Sequence, residues 1–335
     1  MNTIDWSKLQ LILEQNKSFL ITSHVRPDLD ALGSELALAL LLESLGKRVT
    51  IINSSDMPDN LRFIDPENRV QKYVPEQHRD LVLNVDVHFI VDTSAWKQLG
   101  TISDVFKSSQ ATKVVIDHHV SSDNLGAIEF KDPLAEATGT LIYRLIKACG
   151  YSLLPEMAVP LYGAIATDTG WFRFSSTTSE THRIIAELID LGVQPDWLYQ
   201  QLYEQYSLAR VKLVGRILSR VELDCDGQLA HVYVQWKDFT ETGAKPIDTE
   251  DLVNECLRIA GTKAAFIAVE QQNKTIKFSL RSRSDVDVSR VAELFGGGGH
   301  KKAAGTVLNE PFSAARKKVL AAMKEAVLAL SNPPA

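Results

Sequence analysis

Residues 19–45, FLITSHVRPDLDALGSELALALLLESL, hold the pattern that most constrains the fold. A short apolar run stops at a polar turn, and a helical repeat starts almost at once. Similar apolar, β-branched runs recur as VTIIN (49–53), HFIVD (88–92) and KVVIDHH (113–119). Their length and composition predict buried strands. Helical periodicity covers 31–45, 136–149, 156–167 and 179–191, while 54–69 is Pro/Asp-rich and irregular. Strands alternating with helices demand a parallel or mostly parallel sheet covered on both faces.

The pattern changes after LGVQPDW (191–197). A long helix is expected over 196–219, then antiparallel strands within 228–239 and 264–283, with a helix over 248–260 between them. Gln271-Gln272-Asn273-Lys274 reads as the hairpin turn of the second pair. The fold class is therefore α/β: an N-terminal domain over 1–190 with a mostly parallel sheet flanked by helices, a linker helix over 191–219, and a smaller α+β domain over 220–335. The active site is expected in the cleft between the domains.

The chain has 335 residues, 45% of them hydrophobic and 23% charged. That is enough for two cores without a disulfide or a structural metal. The net charge of −6 argues against a binder of long double-stranded nucleic acid, which carries a basic excess. Cys149, Cys225 and Cys256 are widely spaced and read as reduced thiols. The first 19 residues resemble an amphipathic helix and not a secretory signal. The longest apolar run, Leu36–Leu42, falls far short of the about 20 residues a membrane span needs. A cytoplasmic protein with no membrane partner is expected.

Polar clusters end several of the apolar runs. His24, Asp28 and Asp30 lie within seven positions; Asp92 ends one strand; Asp117, His118 and His119 end another; Asp168 follows LYGAIAT. In open α/β sheets, ligands gather beyond the carboxyl ends of the strands. Taken singly, each Asp reads by default as a helix cap or turn former. His78, His88, His182 and His231 read as structural. Taken together, His24, Asp28, Asp30, Asp92, His118 and Asp168 make four carboxylates and two imidazoles without a thiolate. Such a set suits Mn²⁺ and can hold Mg²⁺. Six ligands are too many for one catalytic ion with open positions and fit two ions sharing a carboxylate. A pair of ions about 3.5–4 Å apart can generate a hydroxide and clamp a phosphoryl oxygen. Phosphoester or phosphoanhydride hydrolysis is the expected chemistry.

SHVRPDLDALGS, VDTS, VIDHH and ATDTGWF, in that order, resemble the motifs of the DHH phosphoesterase superfamily. The resemblance spans about residues 19–190. It implies one divalent site at His24, Asp28 and Asp92, and a second at Asp30, Asp92, His118 and Asp168, with Asp92 bridging. It implies that His119 faces the substrate phosphate and that Asp117 orients a neighbouring residue. Asp92, His118 and His119 are thus the expected catalytic residues. Leu29 departs from the family, which usually has a small residue there.

Farther on, SLRSRSDVDVSRVAELFGGGGHKKAAG (279–305) places Arg281, Arg283 and a run of four glycines, 296–299, near His300. Four consecutive glycines let backbone approach an anion, and arginine suits bidentate phosphate contact. Arg281, Arg283, Gly297, Gly298, Gly299 and His300 are the expected substrate-binding residues. The segment resembles the DHH-associated C-terminal domain. The layout is most similar to the nano-RNase and pAp phosphatase branch, which act on short RNA oligonucleotides and small nucleotides, with cyclic dinucleotides and polyphosphate as other substrates of the superfamily. A non-catalytic nucleotide-binding regulator is disfavoured because all six ligands are present. The family also suggests a homodimer.

Overall fold

A computed structural model describes residues 4–331. The chain divides into two compact units, at Gln205 and Tyr206.

The first unit is built on a six-stranded parallel sheet. Its strands are β1 (Ser18–Thr22), β2 (Arg48–Asn53), β3 (Val70–Lys72), β4 (Val87–Val91), β5 (Thr112–Asp117) and β6 (Ile128–Lys131), in spatial order 3-2-1-4-5-6. Its helices are α1 (Trp6–Gln15), α2 (Leu29–Ser44), α3 (Pro75–Asn84), α4 (Ser103–Ser108), α5 (Thr138–Ala148), α6 (Pro155–Asp168), α7 (Ser179–Asp190) and α8 (Pro195–Tyr203). Successive strand residues point to opposite faces. Phe19 and Ile21 of β1 enter a core with α2, α5 and α6, while Leu20 joins Ile90, Val115 and Phe106 on the other face. Both faces are covered, and the near-continuous apolar runs follow from that. Strand order reverses between β1 and β4, so a crevice opens beyond their carboxyl ends. The central strands and four of the helices lie where the sequence places them. The edge strands β3 and β6 and the helices α3 and α4 were not foreseen.

Leu29 begins α2 with ordinary helical backbone and is buried against Gly163 of α6. A Cβ on Gly163 would lie 2.9 Å from a Leu29 methyl. The larger residue at this position is therefore matched by a missing side chain on the facing helix.

The second unit contains α9 (Leu208–Leu218), β7 (Glu222–Asp224), β8 (Leu229–Val234), α10 (Trp236–Thr242), α11 (Leu252–Leu257), β9 (Ala264–Glu270), β10 (Ile276–Ser282), α12 (Val288–Glu293), β11 (Gly298–His300), β12 (Ala303–Leu308) and α13 (Phe312–Ser331). Its sheet runs 11-12-10-9-8-7. Phe266, Phe278 and Leu280 pack with residues of α12 and α13; Ile267, Val269 and Val232 pack on the opposite face with residues of α9, α10 and α11.

Three expectations are corrected. The helix expected over 196–219 is two helices, because Ser207 caps a new one by accepting from Arg210 N at 3.0 Å. The intended linker is thus split: α8 lies in the first unit and α9 in the second, where Leu213 and Ile217 are core residues. The stretch 228–239 is not strand throughout, since α10 begins at Trp236. Finally, β8 and β9 pair in parallel and not antiparallel. The connection through α10 and α11 forms a crossover, as a parallel pair requires.

Candidate metal centre and phosphate-binding face

The six expected ligands converge at the carboxyl ends of β1, β4 and β5. His24 follows β1, Asp28 caps α2, and Asp30 lies in its first turn. Asp92 directly follows β4, and His118 and His119 follow β5. Asp168 closes α6. Three overlapping donor sets result: His24, Asp28 and Asp92; Asp30, His118 and Asp168; Asp92, His118 and His119. Within each set the ligand atoms lie within 4.8 Å of one another.

Each imidazole is oriented by its other nitrogen. His24 Nδ1 lies 3.1 Å from the Val25 carbonyl and His118 Nδ1 lies 3.2 Å from the Ala135 carbonyl. Donation there leaves Nε2 to act as a ligand. His24 Nε2 is 3.3 Å from Asp92 Oδ2. His118 Nε2 is 3.6 Å from Asp92 Oδ1, 3.8 Å from Asp30 Oδ2 and 3.3 Å from Asp168 Oδ2. Asp92 therefore presents one oxygen to each imidazole. It is buried and holds a left-handed backbone, φ +60°. That conformation costs of order 1 kcal/mol and is best tolerated by Asp, Asn and Gly.

Burial, followed by the Asp92 and Asp168 charges, pushes the Asp30 carboxyl well above the usual range. Burial and the Asp28 charge do the same to Asp92. Burial also raises Asp168. Among the described residues no Lys or Arg pairs with these carboxylates. A divalent cation fits this donor set: it would offset the repulsion and accept the oxygen and imidazole ligands on offer.

His119 is placed differently. Its Nδ1 lies 2.8 Å from Asp117 Oδ1, its backbone N–H donates to the same oxygen at 3.0 Å, and its ring is half exposed. The Asp117 hydrogen bond raises the imidazole to about 9, against the opposing effect of burial. Burial opposes ionisation of Asp117, but bonds from His119, Ser94 and Lys131 outweigh it and hold the carboxyl well below its usual range.

Asp28 also serves as a cap, accepting from Ala31 N at 3.1 Å. His78, His88, His182 and His231, read as structural from the sequence, lie outside the donor sets. His88, for example, stacks on Phe106 and bonds to the Val82 carbonyl. After Asp168 the chain turns through Gly170, Trp171 and Phe172, all at positive φ. The Trp171 and Phe172 rings pack against the first core and against Tyr162.

In the second unit, alternating exposure along β10 puts Lys277, Ser279 and Arg281 on one face and Ile276, Phe278 and Leu280 in the core. Arg281 pairs with Ala303, which pairs with His300. Directly paired residues share a face, so Arg281 and His300 stand two strands apart with only alanine between. Among the described residues Arg281 has no ion pair; it bonds only the Leu280 carbonyl.

Arg283 is not on this face. Its guanidinium donates to the carbonyls of Leu257, at 2.6 Å, Ile259, at 3.0 Å, and Thr262. It ties down the chain leaving α11 and is a structural residue. The glycines also differ from expectation. Gly296 ends α12 at φ +72°. A Cβ on Gly297 would lie 2.2 Å from the Gly305 carbonyl, and one on Gly299 would lie 2.5 Å from the Ala303 carbonyl. Close strand packing accounts for these two residues without a ligand. The expected loop of free N–H groups is an edge strand, and among Gly297, Gly298 and Gly299 only Gly298 has open space where a side chain would stand.

Residues 18–166 match the DHH family, N-terminal domain, and residues 226–329 match the DHHA1 domain. A bifunctional oligoribonuclease and PAP phosphatase NrnA of Thermus thermophilus is 30% identical, covering 96% of this chain and 94% of the relative. The chain belongs to the DHH family. It is a phosphoesterase. The NrnA of Bacillus subtilis is also 30% identical, over 86% of this chain and 88% of its own. Among solved structures, an exopolyphosphatase-related protein from Bacteroides fragilis superposes with a TM-score of 0.89 at 30% identity, covering 99% of this chain and all of that one. Exonuclease RecJ bound to manganese shares the fold, with a TM-score of 0.54 at 15% identity over 95% and 93% of the two chains.

Two residues of this DHH-family site were not found from sequence. Thr138 opens α5; its N–H and that of Gly139 donate to Asp30 at 2.7 and 2.8 Å, and its hydroxyl donates to Asp92 at 2.9 Å. Lys131 ends β6 in register with Asp117 and approaches Asp117 Oδ2 at 3.0 Å beside Ser94. The sequence signal for Thr138 is a Thr-Gly pair at a helix start. Lys131 became visible only through strand pairing.

Proposed function

We propose that the chain hydrolyses short oligoribonucleotides to mononucleotides and 3′-phosphoadenosine 5′-phosphate (pAp) to AMP, using two divalent cations, Mn²⁺ by preference with Mg²⁺ as a substitute. The observation that carries this reading is the Asp92 carboxylate, which offers one oxygen to His24 and the other to His118. His24, Asp28 and Asp92 would hold one ion, and Asp30, Asp92, His118 and Asp168 the other. When bound, the ions supply an acidified water and neutralise charge on phosphoryl oxygens.

The remaining roles fall to the chain itself. Asp117 holds His119 by Nδ1, leaving Nε2–H to donate to a phosphate oxygen. Its raised affinity for protons keeps the imidazole cationic at neutral pH. Thr138 and the start of α5 fix Asp30 and Asp92. Arg281 and His300 bind a second phosphate of the substrate, and Gly298 leaves room for it. The names of the Thermus and Bacillus relatives support both activities.

The test measures hydrolysis of a 5′-phosphorylated dinucleotide, pAp, a cyclic dinucleotide and medium-chain polyphosphate with Mn²⁺, Mg²⁺ or EDTA, with Asp92→Ala as control. Mononucleotide and AMP release in Mn²⁺, lost in EDTA and in the variant, is expected. Turnover of the cyclic dinucleotide or polyphosphate alone would overturn the substrate assignment. Full turnover in EDTA would overturn the metal requirement.

A further inference from the structure

The cationic row on β10 does not end at Arg281. Ser279 and Lys277 continue it on the same face. Their partners on β12 are Gly305 and Val307, and Gly305 pairs in turn with Gly298 of β11. Glycine, alanine and serine thus floor a shallow trough. Arg281 and His300 stand at one end, and Lys277 stands at the other. Lys277 is exposed and makes no ion pair among the described residues.

Two cavities meet at Lys277. One, of about 230 Å³, runs along Lys277, Ser279 and Arg281 and is closed on the α11 side by Glu250 and Asp251. That acidic wall repels an anion and leaves the β12 side of the row for it. The other, of about 610 Å³, lies beyond Lys277 and is lined by Trp236, Gln271, Asn273 and Val307 among others. An indole with nearby amides suits an unstacked nucleobase, which stacks on aromatic faces and hydrogen-bonds by its edges.

Dimensions support a multi-nucleotide occupant. Antiparallel strand rises about 3.4 Å per residue, so the Cα atoms of Arg281 and Lys277 are about 14 Å apart. A stacked nucleic-acid strand advances about 3.4 Å per nucleotide, and an unstacked one more. That separation is about four stacked steps and fewer unstacked ones, so a phosphate at Arg281 and another at Lys277 belong to different nucleotides. pAp carries no such distant phosphate.

We infer that Lys277 is a specificity-determining residue: it binds a backbone phosphate farther along the oligonucleotide than the one at Arg281, and so favours oligonucleotides of three or more residues over pAp. The inference rests on the reading of Arg281 as a phosphate contact. It adds a length-dependent contact to that reading and no new chemistry.

The test compares wild type, Lys277→Ala and Lys277→Arg in Mn²⁺ on pAp and on a 5′-phosphorylated tetranucleotide, with KM followed against salt concentration. The ratio of kcat/KM for the tetranucleotide to that for pAp is expected to fall about fivefold in Lys277→Ala and to recover in Lys277→Arg. The slope of log KM against log salt for the tetranucleotide should fall by about 0.7, the loss of one phosphate contact on a single strand. If wild type cleaves both substrates and neither ratio nor slope changes, the role of Lys277 is overturned while the proposed function stands. If wild type cleaves neither, both are overturned.

Discussion

The two candidate sites solve opposite electrostatic problems. In the first unit, four carboxylates crowd the ends of parallel strands, and two of them, Asp30 and Asp92, are buried and held by backbone and hydroxyl donors. That cluster is rich in carboxylates and could hold a cation. In the second unit, the trough is shallow, floored by small residues and edged by cations that have no ion-pair partner among the described residues. It needs an anion and offers little to a metal. The difference separates two tasks: buried, over-determined groups suit bond breaking, whereas an open face with long side chains suits selection among substrates. Substitutions in the first unit should therefore move kcat, and those in the second should move KM.

The largest effect is expected at Asp92. Asp92→Ala removes the carboxylate between the imidazoles and should lower kcat at least about a thousandfold, the scale of losing a principal electrostatic group. Asp92→Asn, which keeps a side chain suited to the φ +60° backbone and an oxygen for the Thr138 hydroxyl, should melt no lower than wild type in the metal-free form, because a buried repelling charge is removed; a collapse in melting temperature would mean that Asp92 is structural first. Next comes Asp117→Asn, which should lower kcat about 10–100-fold, as loss of an orienting partner does. In wild type, activity should fall on the alkaline side as His119 loses the proton that its bond to Asp117 helps to hold. Because Asp117 raises that affinity, the variant's alkaline limb should move to lower pH. An unmoved limb would show that another group titrates.

In the second unit, Arg281→Gln should raise KM for pAp about 10–100-fold with kcat little changed, matching about 1.5–3 kcal/mol for a charge-assisted hydrogen bond. A kcat effect of equal size would break the division of labour. The smallest effect belongs to Arg283→Gln. It strands carbonyls at the exit of α11 and should cost about 1–2 kcal/mol of stability, read as a lower denaturation midpoint, with KM unchanged. A rise in KM would return Arg283 to the substrate face.

The contrast between these two arginines shows how much was legible in the sequence. Alternation placed Arg281 and Arg283 on one face, but that inference holds only while the strand continues. Strand β10 ends at Ser282, and Arg283 turns to cap a neighbouring segment. The candidate metal ligands were easier, because they lie where a strongly apolar run ends or a regular helix begins or ends. Edge strands were harder: VQK (70–72) and IEFK (128–131) are short and half polar, so they lack the signal of a buried strand. Lys131 was hidden for the same reason. The parallel pairing of β8 and β9 was open to inference from the length of the intervening chain, which exceeds a hairpin loop. The glycine run was misread because a positive φ or a close backbone contact demands glycine as firmly as a ligand does.

That glycine run has a further consequence, for solubility. The second sheet ends in two strands of only three residues, β11 on one side and β7 on the other. Long unpaired edges recruit strands from other chains, whereas short edges flanked by lysine do not. Gly298–His300 is followed directly by Lys301 and Lys302, both exposed. The stretch from Gly298, which opens space beside a candidate phosphate site, to Lys302 thus also keeps the sheet from growing, so the protein can present an uncovered strand face at high concentration without polymerising through it.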